Sequence, residues 1–148
     1  MEVVRCDLRH LDQVAGLFDE YRQFYEQPSH IEAGRHFLEH NLLHDKALLF
    51  MVQLETGEVV GFAQLYPSYC SITLKKYHYL SDLYVRPSAR RHGCARFLMR
   101  YLIDHFEAQQ IGRLTLETAT SNHAAQSLYE SLGYEREQVF LTYHYLYR

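Results

Sequence analysis

The chain has 148 residues, the size of one domain with a single core. Its 47 % hydrophobic content is that of a globular protein, and no apolar run comes near the roughly 18 residues of a membrane span. A formal net charge of −3 excludes a global pull toward nucleic acid, so any anion site has to be local.

The N-terminal MEVVRCDLRH lacks the apolar segment of a secretory signal, and Glu2–Arg5 reads as a short strand. Asp7 is placed to cap a helix whose apolar stripe is Leu11, Val14, Leu17, Phe18, Tyr21 and Tyr25, the three-and-four spacing of one helical face. Pro28 and Ser29 punctuate, and a second helical pattern runs through Ile31, Phe37, Leu38 and Leu42. ALLFMVQL (47–54) and VVGFAQLYP (59–67) flank a Gly-containing turn and predict a hairpin. KYHYLSDLYVRP (76–87) is a further strand closed by Pro87, and a helix follows through Phe97, Leu98, Tyr101, Leu102 and His105. RLTLETA (113–119) alternates as a strand does. Asn122 then opens a short helix that stops at Gly133, and the aromatic tail VFLTYHYLYR (139–148) is β-prone. The order is β-α-α-β-β-β-α-β-α-β-β, a mixed α/β domain without repeats or linkers, expected to be one domain over 1–148. Three scattered cysteines, Cys6, Cys70 and Cys94, argue against a disulfide framework and for a reducing, cytoplasmic setting.

One stretch, RPSARRHGCARFLMRYL (86–102), packs arginines against a glycine where a strand hands over to a helix. Such a turn leaves backbone N–H groups unpaired, and the helix dipole adds positive potential. Gly93 carries no Cβ to hold a ligand away, and Arg90 and Arg91 are placed to make charge-assisted contacts. By itself Arg-x-x-Gly-x-Ala is a weak signal, equally that of a solvated basic loop.

Two neighbouring motifs sharpen it. LSDLYVRPSARRHGCARFLM (80–99) resembles the acetyl-CoA-binding core of the GNAT superfamily of N-acetyltransferases, with Leu83, Val85, Pro87, Arg90, Gly93 and Ala95 at the motif positions. SNHAAQSLYESLGY (121–134) is similar to that family's second signature, with Asn122, Ala125, Leu128, Tyr129 and Gly133 in place and Tyr134 where phenylalanine is usual. The resemblance implies a GNAT fold, a mixed, mostly antiparallel twisted sheet flanked by helices. It implies acetyl-CoA as co-substrate and no metal. Arg90, Arg91, His92, Gly93, Cys94 and Ala95 would cradle its pyrophosphate. The backbone of Leu83, Tyr84 and Val85 would lie along its pantetheine arm, with Asn122 among the cofactor contacts. Cys94 sits in the phosphate loop as a packing residue rather than a nucleophile.

Acetyl transfer to an amine needs a base, because an aliphatic ammonium cannot attack, and the departing thiolate benefits from an acid. By resemblance Tyr129 is the general acid. Asp82 is the candidate base, beside a water held by Asp82, Ser81 or a histidine, and a structural acceptor role accounts for Asp82 equally well. The pattern is closest to the polyamine and small-amine acetyltransferases, in which a Glu-Asp pair precedes the aromatic run; here Ser81 holds the first position. FDEYRQFYEQ (18–27) interleaves carboxylates and rings, so Glu20, Tyr21 and Tyr25, with Ser81, are candidate contacts to a cationic amine. The tyrosine-rich 65–82 segment would line the acceptor side. The expected acceptor is a small-molecule amine, polyamine or amino-acid-like. A protein lysine or N-terminus, or a non-catalytic acyl-CoA sensor, stands second. No nucleic-acid or membrane partner is expected. The tail's aromatic density is that of a homodimer interface, or of a strand buried on its own sheet. His36-Phe-Leu-Glu39-His40 follows a zinc-hydrolase order, but a polar helix face accounts for it better.

Overall fold

The computed structural model describes residues 1–148 as two compact units, Met1–Glu117 and Thr118–Arg148. In the first, strand β1 (Glu2–Arg5) leads through a 3₁₀ turn to helix α1 (Leu11–Phe24) and helix α2 (Ile31–Leu43). Strands β2 (Leu48–Gln53), β3 (Val59–Cys70) and β4 (Lys75–Val85), helix α3 (Cys94–Glu107) and strand β5 (Leu114–Leu116) complete it. The strands form one mixed sheet in the order β1-β2-β3-β4-β5, antiparallel except for the parallel β4–β5 pair joined through α3.

Local chemistry explains these boundaries. Asp7 accepts from the Arg9 N–H at 2.9 Å while its own N–H donates to His10 Nδ1 at 3.0 Å, a reciprocal cap on the turn that feeds α1. Leu11, Val14, Leu17 and Phe18 of α1 are buried with Leu38 of α2 against Leu49, Met51 and Phe62 of the sheet. Alternate residues of β2 point the other way: Phe50 meets the Phe106 ring of α3 edge-on at 5.9 Å. Covered on both faces, β2 reads as an unbroken apolar run, whereas a strand with one wet face would alternate. Gly61 of β3 lies so close to β4 that a Cβ there would stand 2.8 Å from the Tyr84 carbonyl oxygen.

One irregularity bears on function. Gln64 pairs with Asp82 but the next residue, Leu65, pairs with Leu80, so Ser81 is an extra residue in β4. Across this bulge the strand's alternation reverses. Tyr84 packs among the α1-side residues, while His78 lies against Phe106 of α3 with ring centroids 4.5 Å apart.

In the second unit, helix α4 (His123–Ser131) is framed by the expected residues. The Asn122 side chain accepts from the Ala125 N–H at 3.1 Å. Gly133, at φ +98°, donates to Glu130 O, and the Tyr134 N–H reaches back to Tyr129 O at 3.0 Å, a Schellman ending. The fold class stands as expected, but the two final strands do not form: 135–148 carries no helix or strand. Phe140, Leu141 and Tyr145 are 78 %, 82 % and 82 % exposed. Their β propensity describes how a side chain fits a paired, half-buried surface, and no strand pairs with this segment. No helix is long and apolar enough to cross a membrane.

Candidate active site

The bulge turns Ser81 and Asp82, neighbours in one strand, toward the same cavity of about 480 Å³ between α1, α2 and the sheet. Asp82 is the one carboxylate in its lining. Burial raises the Asp82 carboxyl above the ordinary carboxylate range, against hydrogen bonds from Gln64, Tyr21 and Ser81 that lower it. Gln64 Nε2 donates to Asp82 Oδ2 at 2.9 Å, and Ser81 Oγ lies 3.4 Å from Oδ1. Gln64 is itself oriented from behind, because Asn41 Nδ2 of α2 donates to its Oε1 at 3.1 Å and reaches the Tyr66 hydroxyl at 3.4 Å. Both amides are buried, at 5 % and 1 % exposure, so this is a hydrogen-bonded chain of polar groups ending on a half-buried carboxylate. Tyr21, Tyr66 and Tyr79 are all held above their ordinary phenol range by burial first, with the charge of Asp82 adding to each.

Phe18, Tyr21 and Phe37 wall the cavity with rings, and Phe18 stacks on Phe37 at 6.0 Å. Gly34 of α2 lets the helices close, since a Cβ there would meet the Phe18 ring at 3.1 Å. Arg22 also lines this space. Of the residues the sequence offered for the acceptor, Tyr21 and Ser81 line the cavity, and Glu20 and Tyr25 do not. Glu20 accepts from Arg86 Nη2 at 2.9 Å, and Arg86 also reaches Glu58 at 3.4 Å, so this carboxylate ties α1 to the end of β4. Tyr25 is 59 % exposed with its ring edge-on to Tyr21. Helical spacing placed Glu20 beside the rings, but nothing local signals that an arginine 66 residues away claims it. Asn41, Gln64, Arg22 and Phe37 were missed for the same reason, whereas Tyr66 and Tyr79 fall inside the tyrosine-rich segment.

Beyond Leu80, which pairs with Leu116, β5 no longer accompanies β4, so Leu83, Tyr84 and Val85 pair only with β3. The basic turn follows. Arg91 and Gly93 have φ of +64° and +80°, and α3 opens at Cys94 with no side-chain cap and no acidic residue in its first turn. Its ladder starts with the Phe97 N–H on Gly93 O at 2.9 Å, so the amides of Cys94 and Ala95 precede the first helical bond. Arg91 and His92 are exposed, and nothing lies within 4 Å of where a Gly93 Cβ would be. Arg90 departs from expectation. Its Nε donates to Val85 O at 2.8 Å and its guanidinium lies over the Tyr84 and Phe24 rings at 5.4 and 5.6 Å, pinning the turn to the strand end.

In its own unit, Tyr129 has its ring 6.0 Å from Tyr134. Asn122 is engaged as the helix cap. His36 and His40 lie exposed on α2, and Glu39 accepts from Arg35 Nη1 at 3.1 Å. All three cysteines are free.

Comparison with known proteins places this arrangement. The sequence model of the Acetyltransferase (GNAT) family matches residues 14–134. The uncharacterized N-acetyltransferase YhfO of Bacillus subtilis (strain 168) is 37 % identical over 130 residues, 88 % of this chain and 87 % of the relative. The [ribosomal protein bS18]-alanine N-acetyltransferase of Escherichia coli (strain K12) is 38 % identical over 65 residues, 44 % of each chain. A crystal structure of a probable acetyltransferase has a TM-score of 0.94 at 34 % identity, over 100 % of this chain and 99 % of that one. A strand that bulges beside a half-buried carboxylate, then a glycine turn that opens a helix, thus sit in a chain that belongs to the GNAT acetyltransferase family.

Proposed function

We propose that residues 1–148 act as one acetyl-CoA-dependent N-acetyltransferase whose acceptor is the primary amine of a small molecule. The observation that carries this reading is the half-buried Asp82 carboxyl, raised by burial, in the lining of a small ring-walled cavity. In its ionised form such a carboxylate attracts an ammonium, and its raised affinity for a proton suits it to accept one. The cavity volume suits a compact acceptor better than a polypeptide surface.

Gly93 and the leading amides of α3 hold the pyrophosphate, with Arg91, His92, Cys94 and Ala95 around it. The open flank of β4 at Leu83–Val85 accompanies the pantetheine arm, Arg90 fixes the strand end, and Asn122 adds a cofactor contact as it caps α4. Asp82, directly or through one water, takes the proton of the bound ammonium. The freed nitrogen bonds to the acetyl carbonyl carbon as the carbon–sulfur bond breaks and sheds its second proton to solvent, while Tyr129 gives its proton to the leaving sulfur and regains one from solvent. The products are the N-acetyl amine and coenzyme A as the thiol. The likeness to the bS18-alanine enzyme supports a protein N-terminal amine as the second reading.

The test is thiol release from acetyl-CoA with single small amines and with an alanine-terminated peptide. Acceptor-dependent release that falls about a hundredfold in Tyr129→Phe, with acetyl-CoA affinity kept, is expected from loss of a general acid. Release driven by the peptide alone would replace the small-molecule reading with the second.

A further inference from the structure

We infer that the acceptor is an amino carboxylate, a free amino acid with an apolar side chain, whose carboxylate is read by Arg22. This deepens the proposed acetyltransferase function and rests on it for the role of the cavity. The cavity presents one carboxylate, Asp82, and one guanidinium, Arg22, and the rest of its lining is rings, small residues and the Ser81 hydroxyl. A polyamine needs at least two carboxylates and no cation. The acidic residues that the sequence offered for such a ligand are engaged elsewhere. Glu20 is paired with Arg86, and Glu26 does not line the cavity. Asp19, 3 % exposed, is occupied at 2.6 Å by the Ser29 hydroxyl, at 2.7 Å by the His30 N–H and at 3.0 Å by Gln23.

With Asp19 so engaged, Arg22 stands 4.0 Å from its Oδ1, and its other contact is the Pro28 carbonyl at 3.4 Å. Those are long contacts for a guanidinium, whose five N–H groups are arranged to grip a carboxylate through two parallel bonds. Ala33 and Gly34, in the first turn of α2, line the same space and add the positive end of that helix. A zwitterion with its ammonium on Asp82 and its carboxylate on Arg22 matches both charges, and Phe18 and Phe37 then cover an apolar side chain. A peptide N-terminus, whose α-carboxyl is an amide, loses the Arg22 contact.

The experiment has two arms. Wild type, Arg22→Gln and Arg22→Lys are assayed for acetylation of phenylalanine, phenylalanine amide, phenethylamine and spermidine. Binding of phenylalanine and phenethylamine to the same proteins, without acetyl-CoA, is measured by calorimetry. Phenylalanine is expected to exceed phenethylamine in kcat/KM and in affinity by about ten- to a hundredfold, the worth of a charge-assisted bidentate contact. Arg22→Gln should bring that ratio toward one, mainly through KM, and Arg22→Lys should recover only part of it. A wild-type ratio near one, a preference for spermidine, or a ratio unmoved by Arg22→Gln overturns the inference. The wild-type ratio decides alone if a variant does not fold. Absence of acetylation with every acceptor would sink the proposed function, while the calorimetric ratio still judges Arg22 as a carboxylate reader.

Discussion

Replacing Gln64 with leucine keeps the volume of the side chain and removes both ends of its hydrogen bonding. Asp82 then loses a 2.9 Å donor, and Asn41 loses its 3.1 Å acceptor, keeping only the 3.4 Å contact to Tyr66. A hydrogen bond to a buried charged group is worth about 1.5–3 kcal/mol, and the amide left short of a partner adds about 1 kcal/mol, so Gln64→Leu should cost about 3 kcal/mol near neutrality. The deficit should depend on pH with a definite sign. In the wild type the folded-state pKa of Asp82 is raised above its unfolded value of 3.8, so the folded state holds this proton more tightly and stability from this group falls as pH rises between the two values. The Gln64 bond lowers that pKa, so its loss raises it further, and acidification returns more stability to the variant than to the wild type. Urea unfolding followed by circular dichroism should show the deficit shrinking as the pH is lowered from neutrality toward the unfolded value of 3.8. With Asp82 as the proposed base, the acid limb of the acetyl-transfer profile should move to higher pH in the variant, because Asp82 must be without this proton to act. A deficit below about 1 kcal/mol near neutrality, or one equal at both ends of that range, would refute the view that Gln64 supports a charged Asp82.

The two structural glycines should separate by mechanism. Gly61→Ala sets a Cβ 2.8 Å from the Tyr84 carbonyl oxygen, which only a backbone shift relieves, so thermal unfolding should report a loss of about 2–3 kcal/mol. Gly93→Ala meets nothing within 4 Å and has only its φ of +80° to oppose it, so stability should fall by about 1–2 kcal/mol, while acetyl-CoA affinity by calorimetry should fall at least about tenfold because the methyl enters the anion's approach. Cys70 is lowered to about 7 by hydrogen bonds from Thr73, with Arg113 adding, whereas burial pushes Cys6 up to about 12. Iodoacetamide should therefore label Cys70 with a half-maximal rate near pH 7 and leave Cys6 unmodified, as peptide mass mapping would show.

What could be read from the chain alone was what short-range chemistry determines. The stripe Leu11–Val14–Leu17–Phe18, the hairpin around Gly57 and the bracketing of α4 by Asn122 and Gly133 each rest on residues a few positions apart. The glycine turn at 93 belongs with them, since its φ and the amides that follow are properties of one turn. The interior of the candidate site is different. Asn41, Gln64 and Asp82 come from a helix and two strands, and no periodicity marks an asparagine on a helix as the support of a glutamine 23 residues later. Glu20 failed in the opposite direction, because a carboxylate among rings looks the same in sequence whether it faces a ligand or an arginine just past the end of β4. The tail failed because propensity states what a strand would be made of, and pairing decides whether there is one.

Ser81, with its neighbour Asp82, differs from the rest of β4 in what its removal would do to the strand. With it gone, Asp82 would follow Leu80 directly, opposite Gln64 and Leu65 in unbroken register, and each remaining side chain would keep its present face. Deleting a residue of the strand outside the Ser81–Asp82 pair would reverse the faces of everything on one side of the gap. The sheet is therefore indifferent to residue 81: neither the hydrogen-bond ladder nor the two-sided core requires it. What would be lost is the bend that sets a hydroxyl and a carboxylate side by side at the cavity. Stability alone gives no reason to keep such a residue, and its place in the strand is a mark that the chemistry of the site has left on the architecture.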